Sequence, residues 1–197
     1  MFTLLRYFII YKPYKMISQF VSPYEQRLLG DLDFEFPEGT HAVGRLDDES
    51  EGLLILTTDK TLTQRLLHPA KKHLRVYLVQ VKKQVEAQTL ENLRNGLDIV
   101  IKRKGAYKTQ ACEVSLIDPP TWLPARNPAV EEFEKHSWLE FTLTEGKNRQ
   151  IRKMCAAVKH KCKRLIRTKI EDLDLADMQP GEVREMDQQK LFALLKL

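Results

Sequence analysis

The sequence predicts an α+β protein with a mixed, largely antiparallel central sheet flanked by helices. Two observations carry this. Short apolar and β-branched runs (RYFIIYK, SEGLLILTT, HLRVYLVQVK, SWLEFTLTE) recur between segments of helical periodicity. Their order is irregular and lacks the repeating strand–helix alternation of a parallel α/β fold. The 197 residues, 43% hydrophobic and 30% charged, suit one large domain or two small ones sharing a core.

RYFIIYK reads as a core strand that leads into the Pro-bearing KPYKMISQFVSPY. Residues 44–59, GRLDDESEGLLILTTD, gather four acids, Asp47, Asp48, Glu49 and Glu51, just before the next aliphatic strand. Asp59 is a candidate cap for a short helix, KTLTQRLLH, that Pro69 ends. HLRVYLVQVK is a strand. VEAQTLENLRNG is a helix stopped by Gly96, and ACEVSLID is a strand running into Pro119 and Pro120.

PPTWLPARNPAVEEFEKHS, with four prolines, is a long loop of the kind that compact domains keep for function. SWLEFTLTE alternates as a strand. In NRQIRKMCAAV, Ile151, Met154, Cys155 and Val158 fall on one helical face, with Arg149, Arg152, Lys153 and Lys159 opposite. KRLIRTKI is a further strand, and MDQQKLFALLKL an amphipathic helix that Asp187 can cap.

Charge is unevenly placed. Residues 147–169 hold ten Lys or Arg and no acid, which leaves 22 bases against 27 acids elsewhere. A solvated face normally mixes both signs, so this segment points to phosphate binding. The three cysteines, Cys112, Cys155 and Cys162, form no CxxC pair, which argues against a disulfide framework and for a reducing cytoplasm. The N-terminal apolar stretch is interrupted by Arg6 and lacks a cleavage site, and no apolar run reaches membrane-spanning length. No membrane partner is expected.

The chemistry these residues could support is narrow. GKNRQ contains Gly-Lys, but Phe141 stands where a phosphate-binding loop needs its first glycine. No GxGxxG follows a strand, and the five histidines have no metal-ligand spacing. Neither a cofactor nor a metal is expected. Among the acids, Asp48 and Glu49 read as solvated turn residues and Glu51 as structural at the strand entrance. Asp47, after Gly-Arg-Leu at the mouth of apolar strands, is the one placed for chemistry.

GRLDDESEGLLILTTD, VYLVQV, EGKNRQIRKM and KRLIRTKI, in this order, resemble the motifs of the RsuA-type pseudouridine synthases. The E subgroup, which acts on large-subunit ribosomal RNA, fits best. The resemblance covers most of the chain. It implies the pseudouridine synthase fold over residues 1–197 as one catalytic domain, two sub-domains sharing a sheet. The aspartate motif begins at Gly44, leaving no room for an N-terminal S4 domain. Two positions depart from the family pattern: Val158-Lys159-His160 replaces a glycine-ending sequence, and Glu171 stands where glycine commonly follows the isoleucine.

The resemblance implies isomerisation of a uridine to pseudouridine. The C1′–N1 bond breaks, the uracil turns, and C5 rejoins C1′. Asp47 is then the essential carboxylate. It could stabilise an electron-poor C1′, attack it, or remove a sugar proton. Tyr77 would stack on the uracil, and Arg152 would pair with Asp47 and keep it ionised. Arg45, Arg126, Lys147, Arg149, Lys153, Lys161 and Lys163 are candidate RNA contacts, and Leu165 a pocket-floor residue. The implied partner is large-subunit ribosomal RNA or a pre-ribosomal particle, met by a monomer in the cytoplasm. The competing reading is a non-catalytic RNA-binding assembly factor on the same fold.

Overall fold

The structure, a computed structural model, describes residues 4–68, 70–101, 105–129 and 135–197. In chain order the strands are β1 (Tyr7–Lys12), β2 (His41–Ala42), β3 (Glu51–Thr57), β4 (Arg75–Lys82), β5 (Asp98–Ile101), β6 (Gly105–Lys108), β7 (Glu113–Ile117), β8 (His136–Leu143), β9 (Cys162–Ile170), β10 (Leu173–Asp174) and β11 (Val183–Met186). The helices are α1 (Leu62–Leu67), α2 (Ala87–Arg94), α3 (Gln150–Ala157) and α4 (Gln188–Leu195). This is the α+β class expected. The chain divides into two units, Met1–His73 with Arg167–Leu197, and Leu74–Ile166.

In the first unit the strand order is β11-β1-β3-β9, with β2 beside β3 and β10 beside β9. β1 runs antiparallel to both neighbours, Tyr7 standing opposite Met186 on one side and Thr57 on the other. Every residue of β1 and β3 is buried. That is why these strands read as unbroken apolar runs: both faces are covered. Tyr7 meets Phe192 of α4 edge to face at 5.4 Å, while the next residue, Phe8, meets Phe34 and Phe36 at 5.4 and 5.7 Å. Successive residues of a strand point to opposite faces, so α4 covers one side and the 34–36 segment the other.

Asp187 caps α4, its carboxylate accepting from Lys190 N–H at 2.9 Å, as expected. Asp59 acts one residue ahead of the expected cap. Its carboxylate takes the N–H and hydroxyl of Thr61, and α1 starts at Leu62. The expected stop at Pro69 lies outside the described residues.

In the second unit the order is β9-β4-β8-β7, with a separate β5–β6 hairpin. β9 thus gives Arg167–Ile170 to the first unit and Cys162–Ile166 to the second. β4–β8 and β7–β8 are antiparallel. The core joins Val79, Val81, Leu139 and Phe141 of the strands to Leu93 of α2 and Ile151, Met154 and Cys155 of α3. Those three α3 residues are part of the face that the helical periodicity picks out. α2 ends where Gly96 turns to φ +76°; a Cβ there would lie 2.3 Å from Thr109 O, so only glycine fits.

The hairpin β5–β6 and the strand β11 have no counterpart in the sequence pattern. Each strand is four residues long, too short for alternation to show, and Val100 is 72% exposed. The Pro-rich loop has no regular structure over its described residues 119–129; residues 130–134 lie outside them.

Candidate active site

In the first unit the Gly-Arg-Leu-Asp turn is built from its backbone outward. Gly44 has φ +77°, and a Cβ there would stand 3.3 Å from Leu67 Cδ1. Leu46 is buried, Asp47 half-buried and Arg45 exposed. Asp47 O accepts from Ser50 N–H at 3.0 Å, closing the turn, and Asp48 O accepts from Lys15 N–H at 2.8 Å. The acids separate as their positions suggest. Asp48 and Glu49 face Lys15 at 3.4 and 3.8 Å with partly exposed side chains, whereas Glu51 is 1% exposed at the start of β3.

Two residues missed by sequence reasoning hold this turn. Ser18 Oγ donates to Leu46 O at 2.9 Å and accepts from Leu46 N–H at 3.0 Å. Lys12 is fully buried, and its ammonium donates to Pro13 O at 2.8 Å, Met16 O at 2.6 Å and Asp48 O at 3.4 Å. Burial lowers the Lys12 ammonium to about 7, against the opposing pull of Asp48, Glu51 and Asp47. The signal was a lysine closing an otherwise apolar strand, where a charge has no solvent.

In the second unit Tyr77 is half-buried on β4, opposite Phe141, and packs against the core that contains Leu165. Arg152 projects from α3, with Nη1 3.6 Å from Cys162 Sγ. The turn before α3 is organised by Glu145. Its carboxylate accepts from Tyr107 Oη at 2.6 Å, Gln110 N–H at 2.8 Å and Gln150 Nε2 at 2.7 Å. Gln150 in turn accepts from Lys147 N–H at 3.0 Å. Arg149 sits in the left-handed region at φ +53°, Lys147 Nζ stands 4.8 Å above the Tyr107 ring, and Lys153 Nζ is 3.4 Å from Asn148.

The ten bases of 147–169 do not form one phosphate-facing surface, which corrects the simplest reading of their density. Arg164 and Arg167 are each 6% exposed; Arg164 donates to Pro124 O at 3.0 Å and Arg167 to Leu53 O at 2.8 Å. Lys169 pairs with Asp174 at 3.4 Å. Arg126 reaches Lys163 O at 3.0 Å and Pro128 O at 3.0 Å, so Arg126 and Arg164 tie the Pro-rich loop to β9. Lys147, Lys159 and Lys161 are exposed, and Arg149, Arg152, Lys153 and Lys163 are half-buried.

Burial pushes the Cys112 thiol up to about 11 and Cys155 well above its ordinary value, so neither is suited to thiolate chemistry. Among the described residues, no group of three His, Cys, Asp or Glu is placed to hold a metal, and no helix is long and apolar enough to cross a membrane.

These strands and motifs define a uridine-isomerising class of protein. Residues 6–157 match the RNA pseudouridylate synthase family, and the chain belongs to it. It is 38% identical over 183 residues to ribosomal large subunit pseudouridine synthase E of Vibrio parahaemolyticus, covering 90% of this chain and 72% of the relative. It is 37% identical over 174 residues to the synthase of the same name from Xanthomonas axonopodis pv. citri, covering 87% and 89%. A crystal structure of a pseudouridylate synthase superposes with a TM-score of 0.78 at 24% identity, covering 98% of this chain and 75% of that one. At that identity the likeness concerns the fold.

Proposed function

We propose that this synthase isomerises one specific uridine of large-subunit ribosomal RNA, with Asp47 as the essential carboxylate. The observation that carries the reading is the 37–38% identity, over about nine-tenths of the chain, to relatives named for that substrate. Asp47 supports it locally: it is half-buried in a turn fixed on both sides, between the Leu46 and Asp48 backbones. A fixed carboxylate of this kind is what reaction at C1′ requires.

In this proposal Tyr77 stacks on the flipped uracil, an interaction worth roughly 1–3 kcal/mol. Flipping the base out of folded RNA costs a few kcal/mol. Arg152 keeps Asp47 ionised, and Leu165 lines the base site. Arg45, Lys147, Arg149, Lys153, Lys161 and Lys163 contact the RNA backbone. Arg126 supports RNA recognition through the loop, which carries the half-exposed Trp122. The protein works as a monomer in the cytoplasm, on ribosomal RNA or a pre-ribosomal particle.

The test is to incubate the protein with large-subunit rRNA transcript, and separately with immature particles, and to map pseudouridine chemically. One modified position is expected. Asp47→Asn should abolish it while binding RNA almost as wild type does. Binding without modification by the wild type would favour the assembly-factor reading instead.

A further inference from the structure

We propose that Lys12 and Ser18 are positioning residues for Asp47, acting together as a polar cradle on the backbone at both sides of it. The inference rests on Asp47 being the reacting carboxylate. Neither side chain need touch the substrate.

The cradle starts at the end of β1, where the chain leaves the apolar core. Pro13 follows Lys12, and the backbone turns through Lys15 at φ +57°. Lys12 Nζ closes this turn by taking the carbonyls of Pro13 and Met16, then directs its remaining donor to Asp48 O at 3.4 Å. Asp48 O also receives Lys15 N–H at 2.8 Å, so the 12–16 turn grips that carbonyl twice. Two residues further on, Ser18 Oγ occupies both the N–H and the carbonyl of Leu46. Residues 46 and 48 are thereby fixed by one short segment, and residue 47 lies between them.

A lysine at 0% exposure is a costly way to brace a turn. A methionine would fill the same space without the desolvation penalty. What methionine lacks is three donors for three carbonyls. Lys12 also places a positive charge among Asp47, Asp48 and Glu51, with Arg27 the opposing cation. Loss of its proton removes that charge and leaves the amine two hydrogens for three carbonyls. The ammonium, lowered by burial to about 7, therefore weakens its grip as pH rises through neutrality.

Stability moves the opposite way. The folded pKa lies below the ordinary 10.5, so the unfolded chain binds more protons between about 7 and 10.5. This group's contribution to stability therefore rises over that interval. Falling activity with undiminished stability is a signature that a purely structural lysine would not give.

The experiment measures single-turnover pseudouridine formation on rRNA transcript from pH 6 to 8.5, with RNA affinity and melting temperature at each pH. The wild-type rate should fall above neutrality with affinity and melting temperature maintained; a flat rate over that interval would overturn the proposal. Lys12→Met should lower the rate roughly 10- to 100-fold, the scale of a misplaced reacting group, and lose the alkaline fall. Lys12→Met with wild-type rate and profile would also overturn it.

Should Lys12→Met fail to fold, Ser18→Ala decides. It keeps the buried cation, and should lower the rate several-fold with RNA affinity unchanged. An unchanged rate would count against the cradle. Asp47→Asn run in parallel separates the two claims. An active Asp47→Asn sinks the catalytic assignment, whereas an inactive one beside a fully active Lys12→Met and Ser18→Ala sinks only the cradle.

Discussion

Gln150 and Glu145 form a buried bracket: Gln150 Nε2 donates to Glu145 Oε1 at 2.7 Å while Gln150 Oε1 accepts from Lys147 N–H at 3.0 Å. Gln150 is 4% exposed, and the same carboxylate takes Tyr107 Oη and Gln110 N–H. Glu145→Ala strips three donors of their acceptor at once. A loss of roughly 2–3 kcal/mol is expected, since buried donors left unmade carry their full desolvation cost. Urea denaturation of the variant measures it. Glu145→Gln, which keeps an acceptor oxygen, should lose less.

Tyr7 and Asp59 give a pH dependence at both ends of the scale. Burial alone would raise the Asp59 carboxyl, but bonds from Thr61 and the Tyr7 hydroxyl, with Arg65 near, hold it below its ordinary 3.8. Its stabilising contribution is therefore present above that value and is lost as pH falls through the lower folded value. Asp59→Asn should cost about 1–3 kcal/mol at neutral pH and flatten the acid limb of a stability profile. Tyr7 is pushed up to about 12 by burial and then by Asp59. Its share of stability is whole below its ordinary 10 and is lost as pH rises through about 12. Ultraviolet titration should find one tyrosine ionising late, and Asp59→Asn should bring it earlier.

Lys159 and Glu171 both hold left-handed backbone, at φ +63° and +50°. They lie at the two places where the chain departs from the glycines expected in its family. Lys159 is exposed, so Lys159→Gly should stabilise by up to about 1 kcal/mol through relief of the Cβ clash. Glu171 is different. Its side chain is 8% exposed and bridges His73 and Lys196 at 3.1 Å each. Glu171→Gly relieves the same clash but removes both bridges, and a net loss is expected. Denaturation midpoints of the two variants should move in opposite directions.

Charge reversal at Lys161 and Lys163 should weaken RNA binding. It should also make the salt dependence shallower, by about 0.7–0.9 in log–log slope for each phosphate no longer neutralised. Affinity measured across a salt series checks this. An unchanged slope would remove β9's leading end from the RNA surface.

Much of the fold is legible in the chain itself. β1, β3, β4 and β8 are long enough for composition to show, and α3 carries a complete apolar face. Asp47 stands out because a carboxylate at the head of an apolar strand needs a reason. β5, β6 and β11 do not stand out: four residues carry too little pattern, and a strand that short depends on its partner for stability. For β11 that partner is β1, over 170 residues away.

What the sequence determined by itself was the class of fold, the order of the motifs and the residue types available for chemistry, because periodicity and local spacing are properties of neighbouring residues. Only the tertiary structure decided which polar groups face inward. Arg164 and Arg167 look like the other bases of their segment, yet each directs its guanidinium to a backbone carbonyl. Lys12 and Ser18 look ordinary, yet both grip the Asp47 turn. The physical reason is common to all four. A buried donor must find an acceptor, and the acceptors lie 28 to 114 residues away along the chain, at a separation no local pattern records.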